Sequence, residues 1–131
     1  VTGGGAVGDR GFFVKPTIVA DVEQDAEIVQ SEVFGPVVTV QRFASDDAAI
    51  EMANDVRYGL AASVFSENVG RALKVAARLD FGTVWVNEHL FPLTSEMPHG
   101  GFKESGYGKD MSLYSMEEYT RVKHVCVKLA E

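Results

Sequence analysis

The chain has 131 residues, 46% of them hydrophobic, and a mean hydropathy of +0.00. That is material for about one globular domain, and no apolar run approaches the ~18 residues of a membrane span. The net charge of −7 and pI near 4.9 speak against nucleic acid or anionic membrane as partner and lean towards cationic small molecules.

The single cysteine, Cys126, precludes an internal disulfide and fits a reducing cytoplasm. Val1-Thr2-Gly3 has neither an initiating Met nor a basic n-region, so no signal peptide is expected and the opening reads as mid-sequence. Gly3, Gly5 and Gly8 formally spell G-x-G-x-x-G. A dinucleotide fingerprint needs a strand before it and a helix after it. The next stretch, Gly11 to Ala20, is β-branched, aromatic and interrupted by Pro16, which predicts an edge strand. The glycines therefore read as a flexible turn.

A short helix is predicted around Asp25–Gln30. Ser31 to Pro36 then forms a corner, because Gly35 tolerates φ > 0 and Pro36 fixes φ and lacks a donor. Glu32 and Phe34 stand two apart just before it, on one side of an extended backbone. They read either as a ligand edge or as a solvated acid beside a core ring. Val37–Phe43 is predicted as a strand covered on both faces. Ser45 caps a helix with Asp46 and Asp47 in its first turn, ending at Tyr58-Gly59. Strand Ala61–Phe65 comes after it. Asn68 caps a helix whose Val69, Ala72, Leu73, Ala76 and Leu79 share a face. Strand Thr83–Asn87 completes a β-α-β-α-β series, for which a parallel sheet is the default. Open sheets of this kind carry their sites at the carboxyl ends of strands, which singles out Asn87 and the loop after it.

That loop runs from Glu88 to Asp110. Its aromatic and apolar content predicts packing rather than disorder. Gly108-Lys109 lacks the flanking residues of a phosphate-binding loop. A short helix is predicted near Ser115–Tyr119. Thr120 to Leu129 reads as a terminal amphipathic strand that wants a partner sheet. His124 and Cys126 share a face of it. A small apolar thiol on a buried strand is the commoner role for such a cysteine than a Cys–His dyad, and with His89 and His99 they make no close-spaced metal set.

Five stretches, taken together and in order, resemble the aldehyde dehydrogenase superfamily: Gly11–Thr17, Ser31–Val37, Tyr58-Gly59-Leu60, Gly82–Asn87 and Pro98–Lys109. The Glu96–Ser112 segment is most similar to the aminoaldehyde branch, especially 4-aminobutyraldehyde dehydrogenases. The resemblance covers the family's last third. It implies an α/β fold: a β-α-β-α-β parallel-sheet core of the catalytic domain over residues 1–119, plus an oligomerisation strand over 120–131.

The family's thiolate attacks an aldehyde, hydride passes to NAD or NADP, and a Glu-activated water hydrolyses the thioester. By the resemblance that Cys, that Glu and the Rossmann domain lie upstream of this chain, so the chain has no catalytic residue of its own and is expected to be inactive alone. Glu32 matches the acid that hydrogen-bonds the nicotinamide ribose, Phe34 the ring beside the nicotinamide, and Leu60 a further pocket residue. Phe91 and His99 match the wall of the aldehyde tunnel. Glu88 and Glu96 are candidates for attracting an ammonium-bearing substrate, with solvated acids as the alternative. The expected partners are a small aldehyde and either the rest of a dehydrogenase chain or further copies joined through the terminal strand. A stand-alone binding or oligomerisation module built on the same fold is the competing expectation.

Overall fold

Thr17, Ile18 and Val19 are β-branched, and so are their partners Val37, Val38 and Thr39. Strands β1 (Thr17–Ala20) and β2 (Val37–Val40) pair in parallel, in register Thr17–Val37 to Ala20–Val40. Pro16 stands just before the strand, so the ladder loses no donor: the Thr17 N–H reaches the Pro36 carbonyl at 2.8 Å. Helix α1 (Glu27–Gln30) makes the crossover. The computed structural model describes residues 1–90 and 93–130, in two compact units, Val1–Arg57 and Tyr58–Glu131.

In the first unit the glycine-rich opening folds back along residues 13–18. Thr2 bridges Ile18 and Ala6 bridges Val14. Gly3 has φ +90°, and a Cβ there would collide with the Pro16 carbonyl. Gly3 thus serves close backbone approach, Gly5 and Gly8 hold positive φ in open space, and the element after them is a strand, not the helix that a phosphate loop needs. Helix α2 (Asp46–Asn54) starts where expected, with Ser45 Oγ accepting from Ala48 N at 3.2 Å and Asp46 and Asp47 in the first turn. It stops earlier than expected. Tyr58-Gly59 is not its terminus but strand β3, paired antiparallel with β6 (Phe102–Lys103). Gly59 is needed in that ladder, since a Cβ would lie 2.6 Å from the Asp80 carbonyl oxygen.

The second unit repeats the β-α-β plan. Strand β4 (Ala61–Val64) pairs in parallel with β5 (Thr83–Val86), and α3 (Val69–Ala76) packs on both. Asn68 Oδ1 caps α3 through Arg71 N at 2.9 Å. Helix α4 (Ser112–Glu118) begins three residues before the predicted start.

The α/β class with parallel strands is as expected. The pairing differs. Among the described residues the parallel ladders are β1–β2 and β4–β5, two β-α-β units in series, and the segment read as a mere edge strand supplies one of the four parallel strands. Strand β2 is also shorter than predicted and alternates half-buried with exposed, Val38 and Val40 being exposed. It is covered on one face, not two. Residues 121–130 form no ladder and are exposed. A strand exists only against a partner edge, and among the described residues none meets this segment.

The core is thin. Thr17, Val19 and Ile50 are buried in the first unit and Ala72 in the second. Burying one such aliphatic side chain contributes about 2 kcal/mol, while Phe12, Phe13, Phe65 and Leu73 stay exposed. Apolar surface on this scale needs cover. No helix among the described residues is long and apolar enough to cross a membrane.

Candidate functional site

Glu32 and Phe34 lie on the segment between α1 and β2. With Ile28, Ser31, Val33, Gly35, Val37 and Thr39 they line a depression of about 250 Å³. Both side chains are exposed, Phe34 to 91%. The backbone at Phe34 is left-handed, with φ 54°. That region disfavours a bulky L-residue, and such strain persists only where the surroundings over-determine it. The expectation of one shared side in extended chain does not hold through Phe34. The two residues come together because the chain turns there, and both reach the same depression. The corner is held from below by the Thr17 N–H on the Pro36 carbonyl and by Val37 N on the Gly35 carbonyl at 2.7 Å.

A dinucleotide would overfill this depression, since pockets for whole ligands run from about 300 to 1,000 Å³. Its donor set fits one end of such a molecule: a carboxylate that accepts from sugar hydroxyls, and an exposed ring that offers a flat apolar face.

The second unit carries the remaining candidates. Leu60 is exposed just ahead of β4, and its carbonyl receives Thr83 N at 3.1 Å. Thr83 Oγ1 lies 3.3 Å from His99 Nδ1. Leu60, Thr83 and His99 therefore share one corner, at the start of β5. His99 is fixed further by a two-way backbone bridge to Asp110. Close packing brings the loop back to this end, because Gly82 touches the Gly100 carbonyl so tightly that no Cβ fits between them. Asn87 stands at the other end of β5, with φ 57°. Its amide clamps Ser66, accepting from Ser66 N at 2.7 Å and donating to Ser66 O at 2.9 Å. The carboxyl-end prediction thus found a strand-end clamp at Asn87, while His99, the tunnel-wall match of the resemblance, docks at the amino end of β5. Phe91 lies outside the described residues.

His89, which sequence reasoning set aside, holds a tight contact with Ser63, Oγ to Nδ1 2.6 Å, and an edge-on contact with Trp85, ring centres 5.3 Å apart. Their one signal in the sequence was the spacing Trp85 to His89 across a strand end. Glu96 is exposed, and its carboxyl is held below its ordinary value, first by a hydrogen bond from the Thr94 side chain, then by its own backbone and by Ser95. Glu88 Oε1 accepts from His89 N at 2.8 Å. Cys126 is a free, exposed thiol on the terminal segment; the buried strand face expected for it is absent.

A family model described as "Aldehyde dehydrogenase family" matches residues 1–125. The chain is 49% identical over 88% of its length to a betaine aldehyde dehydrogenase of Bacillus subtilis, covering 24% of that protein. It is 45% identical over 98% of its length to retinaldehyde dehydrogenase 3 of Mus musculus, covering 25% of it. A solved structure of betaine aldehyde dehydrogenase from Staphylococcus aureus in complex with NAD+ superposes with a TM-score of 0.85 at 44% identity, over 91% of this chain and 24% of that one. The chain spans about a quarter of the length of the curated relatives it matches.

Proposed function

Since this chain belongs to the aldehyde dehydrogenase family, we propose that it acts as the C-terminal part of an NAD(P)-dependent enzyme that oxidises an aldehyde to its carboxylate, contributing half of the cofactor pocket. The observation that carries this reading is the paired display of Glu32 and Phe34 on one depression, with Phe34 held left-handed and open. NAD(P), when bound, supplies the hydride acceptor. Glu32 holds the ribose hydroxyls with its carboxylate. Phe34 flanks the nicotinamide and keeps water from one side of it. Leu60 adds a second apolar contact. His99 and Phe91 border the aldehyde's path.

The nucleophilic thiol and the general base come from residues outside this chain, so the 131 residues do not turn over alone. The exposed apolar surface supports a chain that is covered by further protein. Residues 120–131 are proposed as the strand that joins another subunit, supported by the lack of a ladder over residues 121–130 and by exposed Val122, Val125, Val127 and Leu129. The same surface supports the second reading, a binding or oligomerisation module without catalysis. The free thiol supports a reducing, cytoplasmic setting.

The aldehyde is proposed to carry a cationic nitrogen. The Glu96–Ser112 segment is the basis for 4-aminobutyraldehyde, and the Bacillus relative's name brings in betaine aldehyde. Both carry a cationic nitrogen, for which Glu96 and Glu88 are the proposed attracting carboxylates, and the retinaldehyde relatives make an apolar aldehyde the competing outcome. The test is aldehyde-dependent NADH or NADPH formation by the full polypeptide carrying this sequence, against the 131-residue chain. Activity in the long form only, with preference for the cationic aldehydes, is expected. Turnover by the short chain, or none by the long one, overturns the reading.

A further inference from the structure

Three glutamines of the first unit form one hydrogen-bonded chain that none of the assigned roles uses. Gln41, just past β2, donates to the Val22 carbonyl at 3.3 Å and to Gln24 Oε1 at 3.2 Å. Gln24 donates to the carbonyls of Met52 and Asp55 at the end of α2, at 2.9 and 3.0 Å. Gln30, the last residue of α1, donates to the carbonyls of Gln24 and Asp55, at 2.8 and 2.7 Å. All three residues are half-buried.

The placement matters more than the count. The depression bearing Glu32 and Phe34 is strung between α1 and β2. Gln30 fixes the last residue before it, and Gln41 fixes the chain just beyond β2. Helix α1 has four residues and no side-chain N-cap. A single turn has no stability of its own, because nucleation costs more than its few hydrogen bonds return. Phe34 stands in a disfavoured left-handed conformation that relaxes unless its flanks are held. Two of the carbonyls that do the holding, those of Met52 and Asp55, lie at the α2 terminus, where carbonyls need donors in any case.

We propose that Gln30, with Gln24 and Gln41, is a positioning residue for the cofactor: it locks α1 onto the end of α2 so that Glu32 and Phe34 are presented in binding geometry before NAD(P) arrives. This rests on the cofactor reading of Glu32 and Phe34. Gln30 touches no cofactor itself. Its loss therefore raises the entropy of the free loop and weakens dinucleotide binding, while the chemical step on bound substrate is left as it was.

The test uses the full polypeptide that carries this sequence. Dinucleotide affinity is read by fluorescence titration, and hydrogen exchange is followed over residues 26–36 without cofactor, for the wild type, E32A, Q30L and Q30K. Leucine keeps the volume and removes both donors; lysine restores donors to the same carbonyls. Q30L is expected to weaken dinucleotide binding on the order of five-fold, to speed exchange in residues 26–36, and to leave kcat at saturating cofactor unchanged. Q30K is expected to recover most of both effects. E32A separates the cofactor reading from the positioning role. If E32A leaves binding intact, the cofactor reading fails. If E32A weakens binding but Q30L binds as the wild type, or exchanges no faster in that segment, the positioning role alone is overturned. A Q30L protein that loses kcat and thermal midpoint together, with no rescue by Q30K, also overturns it, because that is the signature of a general packing defect.

Discussion

The segment from Ser31 to Pro36 and the described part of the long loop, residues 93–110, are held in different ways. The short one is held at its flanks, where Gln30 and Gln41 donate to backbone carbonyls elsewhere in its unit, and its own side chains stay open: Glu32, Val33 and Phe34 are all exposed. The long one is held at several points within its described residues. His99 and Asp110 exchange backbone hydrogen bonds, Ser105 Oγ accepts from Gly59 N at 3.0 Å, and Glu118 accepts from Lys109 N at 3.2 Å. Flank anchoring frees side chains to meet a ligand. Anchoring within the loop spends side chains on it and leaves a wall. The first suits a cofactor rim and the second the border of a substrate path.

Gly82→Ala should break the long loop with the largest effect. Its Cβ would collide with the Gly100 carbonyl, a backbone atom that cannot swing aside. A loss of about 3 kcal/mol is expected by analogy with overpacked cores, read from the denaturant midpoint of the full polypeptide. An unchanged midpoint would mean that the loop does not dock on Gly82. The short segment should show the opposite pattern. Glu32→Ala should cost about ten-fold in dinucleotide affinity, as for one charge-assisted hydrogen bond at an exposed position, with the midpoint unmoved because the side chain is exposed. A destabilised E32A protein with normal affinity would reverse the assignment of display to one segment and structure to the other.

The caps give a smaller effect and a control within each unit. Ser45→Ala and Asn68→Ala each remove one side-chain acceptor from a helix start and should each cost about 1 kcal/mol by denaturant unfolding. A cap with no effect would show that its helix is held by packing alone. Phe34→Gly should have a smaller effect still, and of opposite sign. Relief of the left-handed backbone returns about 1–2 kcal/mol, the extra freedom of Gly in the unfolded chain takes back about 0.5–1, and the ring is too exposed for its loss to matter. A net gain of about 0.5 kcal/mol in folding stability is expected, together with weaker dinucleotide binding. A destabilised F34G protein would mean that the ring packs in a way its exposure does not reveal.

These elements were legible in the sequence to different degrees, for physical reasons. The two caps could be read because Ser45 and Asn68 act within three residues of themselves, on Ala48 and Arg71. Strand β5 could be read from the continuous β-branched and aromatic run Thr83-Val84-Trp85-Val86. The partner of β2 could not, because pairing is long-range and Pro16 made the β1 segment look like an edge. Tyr58-Gly59 looked like a helix end, since glycine has the same signature at a C-terminus and in a close strand crossing. The terminal segment has strand composition but no ladder, because composition cannot supply a partner edge. At the candidate site, Glu32 and Phe34 were found through a recognisable motif. The glutamine chain was missed because its spacing follows no period, and only the fold brings residues 24, 30, 41 and 55 together.

Within the long loop, Glu96 is exposed yet its carboxylate is held, and its expected effect is the smallest. Thr94, Glu96 itself and Ser95 all hydrogen-bond the charged carboxylate, and Thr94 matters most, so its folded-state pKa lies below the ordinary value. Linkage sets the sign. A carboxylate whose pKa is depressed on folding adds stability that is present above the unfolded pKa, and that stability is lost as pH falls through the lower, folded one. Replacing Thr94 by Val removes the leading hydrogen bond while keeping the shape. The Glu96 carboxyl, followed by NMR against pH, should then titrate at a higher pH than in the wild type, and the difference in acid stability between the two proteins should vanish once both carboxyls are protonated. The exposed setting keeps the stability effect small, so the titration midpoint is the decisive reading. A midpoint unmoved by T94V would show that the Thr94 hydroxyl is not what holds the carboxylate, and that the turn of residues 94–97 presents Glu96 as an ordinary surface acid.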